Sequence, residues 1–332
     1  MNLSALWKTI FVSSGLLFVL IAVGLISLLV GATGFGVKRL LLEGAGSEEG
    51  RKAMTIMLSY RLPRMLLAAV AGAGLASAGV VFQGVLRNPL ADPYIIGIAG
   101  GGSLGAVISI ALLGPGRLLG TSLCAFLGSL LAVGLVYGLA AARRSRGYID
   151  TVILAGVIVG AFMNALMLLV ISLSGSHEIQ RILFWLMGDL SLSDYNKTVF
   201  AGLLVVVGWS VVYLNANRLN LLAVGEDSAA YLGLNVARAR FFFITVAAAM
   251  TGTVVSVSGT VGFVGLVVPH TMRLLFGPDN RVLLPAAFLG GAAFLAACDC
   301  VARVVAYPVE LPVGVITALT GAPFFLYLLV RR

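Results

Sequence analysis

From Phe241 to Met272 the chain runs for 32 residues without one Asp, Glu, Lys or Arg. A hydrocarbon core about 30 Å thick needs roughly 20 apolar residues per helix, and every backbone group inside it must be satisfied within the segment. A membrane barrel would instead show short segments of alternating polarity. The stretch is therefore helical and membrane-embedded, too long for one ordinary span and short for two. Its centre, "SVSGTVGFVG", is small and glycine-rich, which places a tight hairpin near Ser258 to Thr260.

The rest of the chain agrees. Hydrophobic residues make up 60% and charged residues 11%, against roughly 25% charged in soluble domains. Charges and turn residues divide the sequence into ten expected spans, at about 10–36, 62–86, 93–113, 118–141, 151–174, 197–216, 237–257, 260–276, 282–305 and 311–330. The first run, Phe11 to Val37, follows Lys8 as a secretory signal would, but it is much longer than a signal's apolar region and is expected to be a retained span. The expected fold is an all-α polytopic membrane protein, one domain over 1–332.

Two segments between spans read as short helices outside the bilayer core. In "HEIQRILFWLMGDLS" Ile179, Ile182, Leu183 and Leu186 recur at helical spacing, with Trp185 suited to an interface; the helix is placed at 177–187. In "GEDSAAYLGLNVARAR" Gly225 precedes an acidic helix start and Gly233 supplies a stop, giving a helix over 226–233.

Net charge is +9, but the basic residues are scattered between spans and form no nucleic-acid-binding face. With the N-terminus in the cytoplasm, twelve Lys and Arg fall inside and ten outside. Six of those ten (Lys38, Arg39, Arg51, Lys52, Arg61 and Arg64) crowd the connector after the first span; without it the division is twelve to four, as the positive-inside rule expects. The connector is then a cationic outer surface that an acidic partner could touch.

Chemistry is scarce. The nearest approach to a phosphate-binding loop, "GATGFGVK", has Val37 where the lysine should stand, so the chain does not hydrolyse nucleotide by itself. Proton or ion coupling needs ionisable side chains near mid-membrane, and only Asp299 offers one; Arg303, four residues on, reads as its ion-pair partner. His177 and His270 form no catalytic motif, and His177 as a haem ligand lacks any surrounding pocket in the sequence. Cys298 and Cys300 point to different sides of a helix and, with Cys124, read as small buried residues. Gly72 with Ala76, Gly97 with Gly101 and Gly101 with Gly105 have the spacing of close helix packing.

The breaks in the helices carry more. In "RNPLADPYIIG" Asn88 and Asp92 each precede a proline, which disfavours helix and forces an extended turn between two spans. Pro269 removes a backbone donor inside a span, and Pro312 suits the first turn of the last helix. Broken backbone in a membrane is tolerated where protein or a water-filled path surrounds it. That points to a pathway.

In this order "RLPR", "NPLADPYIIG", "ILFWLMGDLS", "GEDSAAYLGL", "GFVGLVVPHTMRLLFGPDNRVLLPAAFLGG" and "ELPVGVITALTGAPFFLYLL" resemble the permease subunit of ABC importers for cobalamin, ferric siderophores and haem. The resemblance implies an inner-membrane homodimer, N- and C-termini cytoplasmic, with two cytoplasmic ATPases that bind the ATP and Mg and a periplasmic binding protein that delivers a metal chelate. No metal or cofactor is implied in this chain itself. It implies that Arg61, Arg64 and Arg303 receive acidic residues of the binding protein. It assigns Gly225, Glu226, Asp227, Ala229, Ala230, Leu232 and Gly233 to a cytoplasmic coupling helix seated on the ATPase, and makes 177–187 a periplasmic helix. Asn88 and Leu90, with the 145–151 connector, correspond to a cytoplasmic gate; Asn164, Met167, His177 and Glu178 would face the path. An iron-siderophore is the favoured cargo, with cobalamin and haem open. The competing expectation is an ion-coupled secondary transporter working without an ATPase.

Overall fold

In the computed structural model of the chain, residues 3–30, 47–113, 118–142, 148–191 and 193–330 are described. The helices are α1 (Leu3–Leu29), α2 (Glu48–Ile56), α3 (Leu62–Val85), α4 (Ile98–Leu113), α5 (Leu118–Ala142), α6 (Tyr148–Ser172), α7 (Ser176–Leu186), α8 (Tyr195–Leu214), α9 (Ala216–Val224), α10 (Glu226–Tyr231), α11 (Val236–Ser258), α12 (Val264–Phe276), α13 (Asn280–Ala302) and α14 (Val313–Val330). Among the described residues seven helices are long and apolar enough to cross a membrane, and three shorter apolar ones, α4, α12 and α14, bring the set to ten.

Close backbone approach organises the centre. A Cβ on Gly72 of α3 would lie 2.1 Å from the carbonyl oxygen of Gly291 on α13, and one on Gly79 would lie 1.8 Å from that of Gly265 on α12. Only glycine lets these helices meet so closely, since lipid gives apolar side chains no reason to leave it and packing must supply the attraction. In the apolar 18-residue stretches of the continuous α2–α3 helix and of α13, 78% of the residues are buried, against 17% in α1 and 22% in α8, which lie at the periphery. Gly101 likewise meets Gly128, and Gly105 meets the backbone of Cys124, joining α4 to α5 as the glycine spacing anticipates.

Several expected boundaries shift. The third helix starts at Ile98, not 93, because hydrogen-bonded turns and Gly97, with φ 79°, carry the chain through 88–97. The second helix begins at Leu62 as expected, but it is reached without a break: α2 runs through a π-helical turn, Met57–Arg61, directly into α3. Ser47 caps α2 by accepting from the amide of Gly50, and Glu48 and Glu49 occupy its first turn, where the helix dipole favours them. The π turn lies next to Pro63, whose missing donor disrupts the ordinary ladder. The first helix ends at Leu29; positions 31–36 of the expected span lie outside the described residues. The hairpin between α11 and α12 falls at 259–263, and α7 matches the expected 177–187.

Candidate functional site

α3 carries Arg64 in its first turn and Arg87 just past its last, while the antiparallel α13 carries Arg281 in its first turn and Arg303 as its C-cap. The bundle therefore has an Arg64 end and an Arg87 end. These coincide with the two sets of basic residues separated by the charge count.

At the Arg64 end the three arginines named from the sequence converge, bound to their own chain. Arg64 donates from Nε to Asp299 Oδ1 (2.9 Å) and from Nη1 to Glu310 Oε2 (2.5 Å). Arg303 Nε lies 3.1 Å from Asp299 Oδ2, the expected i,i+4 pair, and Nη2 donates to the carbonyl and hydroxyl of Ser27. Arg61 Nη1 donates to the carbonyl of Leu28 at 2.8 Å. Ser27 and Leu28 stand in the last turn of α1, where unpaired carbonyls and the negative end of the helix dipole suit a cation. Asp299 is fully buried, Arg61 and Arg303 nearly so, while the Glu310 carboxylate is 43% exposed. Burying these charges is tolerable because each meets an opposite charge or a helix terminus. Around Glu310 the surface is apolar and aromatic, with Tyr307 and Val309 exposed.

At the Arg87 end, Gly225 (φ 148°) turns the chain between α9 and α10, and Gly233 (φ 82°) turns it out again. The seven coupling residues divide into two groups. Asp227, Ala230, Leu232 and Gly233 are exposed, as is Tyr231 between them; Gly225 and Ala229 are buried, and Glu226 pairs with the buried Arg240 of α11. Beside them a groove of 530 Å³ is lined by Arg218, Leu232, Asn235, Arg238 and Phe242. Close by, Asp279 caps α13 and is gripped by Arg281 (2.6 Å) and Asn220 (2.8 Å), so its carboxyl is held down at about 2.

Between the ends lies the broken segment. Asn88 Oδ1 accepts from the amide of Leu90 (2.9 Å) and Asp92 Oδ1 from that of Tyr94 (2.8 Å), two side-chain turns in succession. Asn88 and Leu90 are exposed at the Arg87 end. Beyond them the chain climbs. Pro93 packs on Gly265, which also abuts the carbonyl of Leu75, and Gly265 in turn abuts Gly79. Leu75 and Gly79 sit six to ten residues before the end of α3, about 9–15 Å up the helix. The turn is thus re-entrant and not at the membrane edge. Tyr94 Oη receives the amide of Val261 (3.1 Å) and lies 3.2 Å from the carbonyl of that residue, so the turn is pinned to the 259–263 hairpin. That hairpin is pinned to the end of α7 by Thr260 Oγ1, which donates to Leu186 O. Met187 and Gly188 in turn bind the start of α14 through the amides of Gly314 and Val313. Two non-helical stretches and two helix ends from distant parts of the sequence satisfy one another inside the bundle.

The expected path residues lie on α6 and α7. Asn164 is exposed on α6 beside Phe162 and Leu168, and Met167 is half-buried against the core. His177 is exposed on α7, and Glu178 lies 3.5 Å from Arg181. Of the 145–151 connector, 145–147 lie outside the described residues and 148–151 begin α6. Glu310, Ser27 and Arg240 were not singled out from the sequence; Glu310 and Ser27 meet their arginines across 246 and 276 positions, beyond any local motif, whereas Arg240 stands only 14 residues from Glu226.

A multi-pass helical bundle with satisfied, broken backbone in its interior and a short helix offered to solvent at one end defines a membrane permease subunit. The chain belongs to the FecCD transport family, whose model matches residues 19–331. It is 44% identical over 281 residues to the cobalamin import system permease protein BtuC of Halobacterium salinarum, covering 84% of this chain and 74% of that one. It is 37% identical to the hemin transport system permease protein HmuU of Yersinia pestis, covering 93% of each. It is also similar to a solved ABC transporter of metal-chelate type in an inward-facing conformation: TM-score 0.86, 31% identity, 96% of this chain and 99% of that one.

Proposed function

We propose that two copies of this chain form the permease of an ATP-driven importer that takes a metal chelate from a periplasmic binding protein and passes it into the cytoplasm by alternating access. The observation that carries the reading is α10, a six-residue helix presented outside the spans with Asp227, Ala230, Leu232 and Gly233 exposed and its base tied to α11 by Arg240. A short rigid helix so placed converts rigid-body movement of an ATPase into movement of the spans. The Arg87 end is then cytoplasmic, both termini lie in the cytoplasm, and Asn88 and Leu90 form part of the inner gate. The Arg64 end faces the binding protein in the periplasm, where Arg64, set in place beside the buried Arg61 and Arg303, meets acidic side chains. Asn164, a polar side chain on an otherwise apolar exposed face of α6, faces the central path with Met167, His177 and Glu178.

Iron-siderophore is the first candidate for cargo. Relatives named for cobalamin, for hemin and for an iron chelatin match at 44%, 37% and 38% identity, so similarity alone does not choose among them. An ion-coupled carrier finds less support: Asp299, the acidic side chain within the spans, is clamped between Arg64 and Arg303 and poorly placed to exchange a proton. The test is ATP turnover of the chain reconstituted in liposomes with its ATPase and binding protein, challenged in turn with ferric siderophore, cobalamin and hemin. One of these is expected to stimulate turnover and uptake together. Uptake driven by an ion gradient with no ATPase present overturns the reading.

A further inference from the structure

α5 and α8 both pack on α11 but hardly on each other, so α11 becomes the floor of a groove between them. The groove encloses 1280 Å³, with Leu123 and Phe126 on one wall, Phe200 and Leu204 on the other, and Thr253 and Ser256 on the floor. Both floor hydroxyls donate to carbonyls of their own helix, at 2.8 and 2.7 Å, which leaves the floor effectively apolar. The charged side chains of the lining, Asp194 and Lys197, stand together at one end. Asp194, Tyr195, Asn196 and Lys197 form a rim at the start of α8. Tyr195 fixes that rim to the Arg64 end by donating to the carbonyl of Leu58.

The dimensions match one lipid leaflet. From Asp194 to Leu204 is ten residues, about 15 Å of helix, which is half of a hydrocarbon core about 30 Å thick. A cavity open to the membrane, charged at head-group depth and apolar for one leaflet below, has the polarity profile of a phospholipid. The rim narrows the class. Lys197 Nζ lies 3.6 Å from Asp194 Oδ2, a distance at which the two attract without sharing a hydrogen bond. Together they present one positive and one negative group, the complement of a phosphate followed by an ammonium; a primary ammonium can also donate a hydrogen bond to the Asp194 carboxylate, which a quaternary one cannot, and a purely anionic head group would meet that carboxylate unfavourably.

We propose that this groove binds a phospholipid with a primary-ammonium zwitterionic head group, of the phosphatidylethanolamine kind, from the leaflet at the Arg64 end. Lys197 takes the phosphate, Asp194 takes the ammonium, and an acyl chain lies along Phe200, Leu204 and Phe126. The proposal requires only that the bundle span a membrane and is independent of the cargo.

Native mass spectrometry of the full-length chain in mild detergent, with phosphatidylethanolamine, phosphatidylglycerol or phosphatidylcholine added, tests it. Phosphatidylethanolamine is expected to stay bound under activation that strips the other two. Lys197→Ala should weaken its retention about tenfold, the scale of one hydrogen bond to a charged group. Asp194→Asn keeps the helix cap and should abolish the preference for phosphatidylethanolamine over phosphatidylglycerol. A phosphatidylethanolamine with a photoreactive group at the acyl terminus should label peptides containing 123–126 or 200–204. Equal retention of all three lipids, retention unchanged in Lys197→Ala, labels spread evenly over the spans, or a co-purifying single-span polypeptide that displaces the lipid would each overturn the proposal.

Discussion

Arg240 of α11 donates to the carboxylate of Glu226, the first residue of α10, and the guanidinium is almost wholly buried while the carboxylate is 41% exposed. A six-residue helix cannot hold itself together in water, because the cost of nucleation exceeds what so few backbone bonds return. The pair, the buried Ala229 and the amide of Leu234 bonded to the carbonyl of Ala229 keep α10 in place.

Arg240→Ala is therefore expected to loosen α10 by about 1–2 kcal/mol, a charge-assisted contact discounted for its exposed side. In the reconstituted assembly, ATP turnover should persist while transported cargo per ATP falls several-fold. The double exchange Glu226→Arg with Arg240→Glu should recover part of that ratio. A ratio unchanged in Arg240→Ala would show that the pair does not position α10.

Gly79 gives a packing test. Gly79→Ala drives a Cβ to 1.8 Å from the Gly265 carbonyl and 2.8 Å from Pro269, both parts of rigid backbone or ring. The expected cost is at least about 2–3 kcal/mol, with α12 pushed off α3 and the re-entrant turn at Pro93 disturbed behind it. Gly134→Ala on α5 meets nothing within 4 Å and should be neutral or slightly stabilising, by up to about 1 kcal/mol through helix propensity. Thermal unfolding midpoints in detergent separate the two.

These two cases mark what the sequence alone could show. Spans, the 259–263 hairpin, α7 and α10 were legible because hydropathy and turn chemistry act locally. The glycine spacing indicated which faces pack closely but not that Gly79 meets Gly265. Even the doubled Asn-Pro and Asp-Pro break, plain in the sequence, gave no sign that Pro93 climbs back inside the bundle, because its depth is set by Gly265 and by Tyr94 reaching Val261. The arginine cluster was foreseen as a surface and found as a network, because Asp299 lies 235 residues from Arg64 and Glu310 lies 246.

Asp279 sets an acid limit. Hydrogen bonds from Arg281, then from Asn220, hold its carboxyl at about 2 against 3.8 for the ordinary group, partly offset by burial. A depressed folded-state value means that the native state releases its proton more readily than the unfolded one. The contribution is complete above about pH 4 and is lost as pH falls through 2. Asp279→Asn retains a good helix cap but cannot titrate, so its melting temperature should fall less than the wild type between pH 5 and pH 2.5. Asp279→Ala should cost about 1 kcal/mol at neutral pH through the cap alone. Parallel acid profiles for wild type and Asp279→Asn would remove Asp279 as the source.

The three arginines at the Arg64 end should not behave alike. Arg61 and Arg303 spend donors on the carbonyls of α1 and are buried, whereas Arg64 shares its guanidinium with the half-exposed Glu310. Arg303→Ala strips one of two charge partners from the fully buried Asp299, which keeps Arg64; the cost should stay below the about 3–5 kcal/mol of leaving a buried charge unpaired, yet stability should fall before any docking is measured. Glu310→Gln leaves the buried network in place and removes an intramolecular competitor for Arg64. Affinity for the binding protein should then rise by a fewfold at low salt and the gain should shrink as salt screens the remaining charge. Arg64→Glu in the same background should abolish the gain. Equal losses of docking and unchanged stability for all three single arginine-to-alanine variants would mean that the arginines act as a surface patch and not as a network in which only Arg64 reaches an exposed side chain.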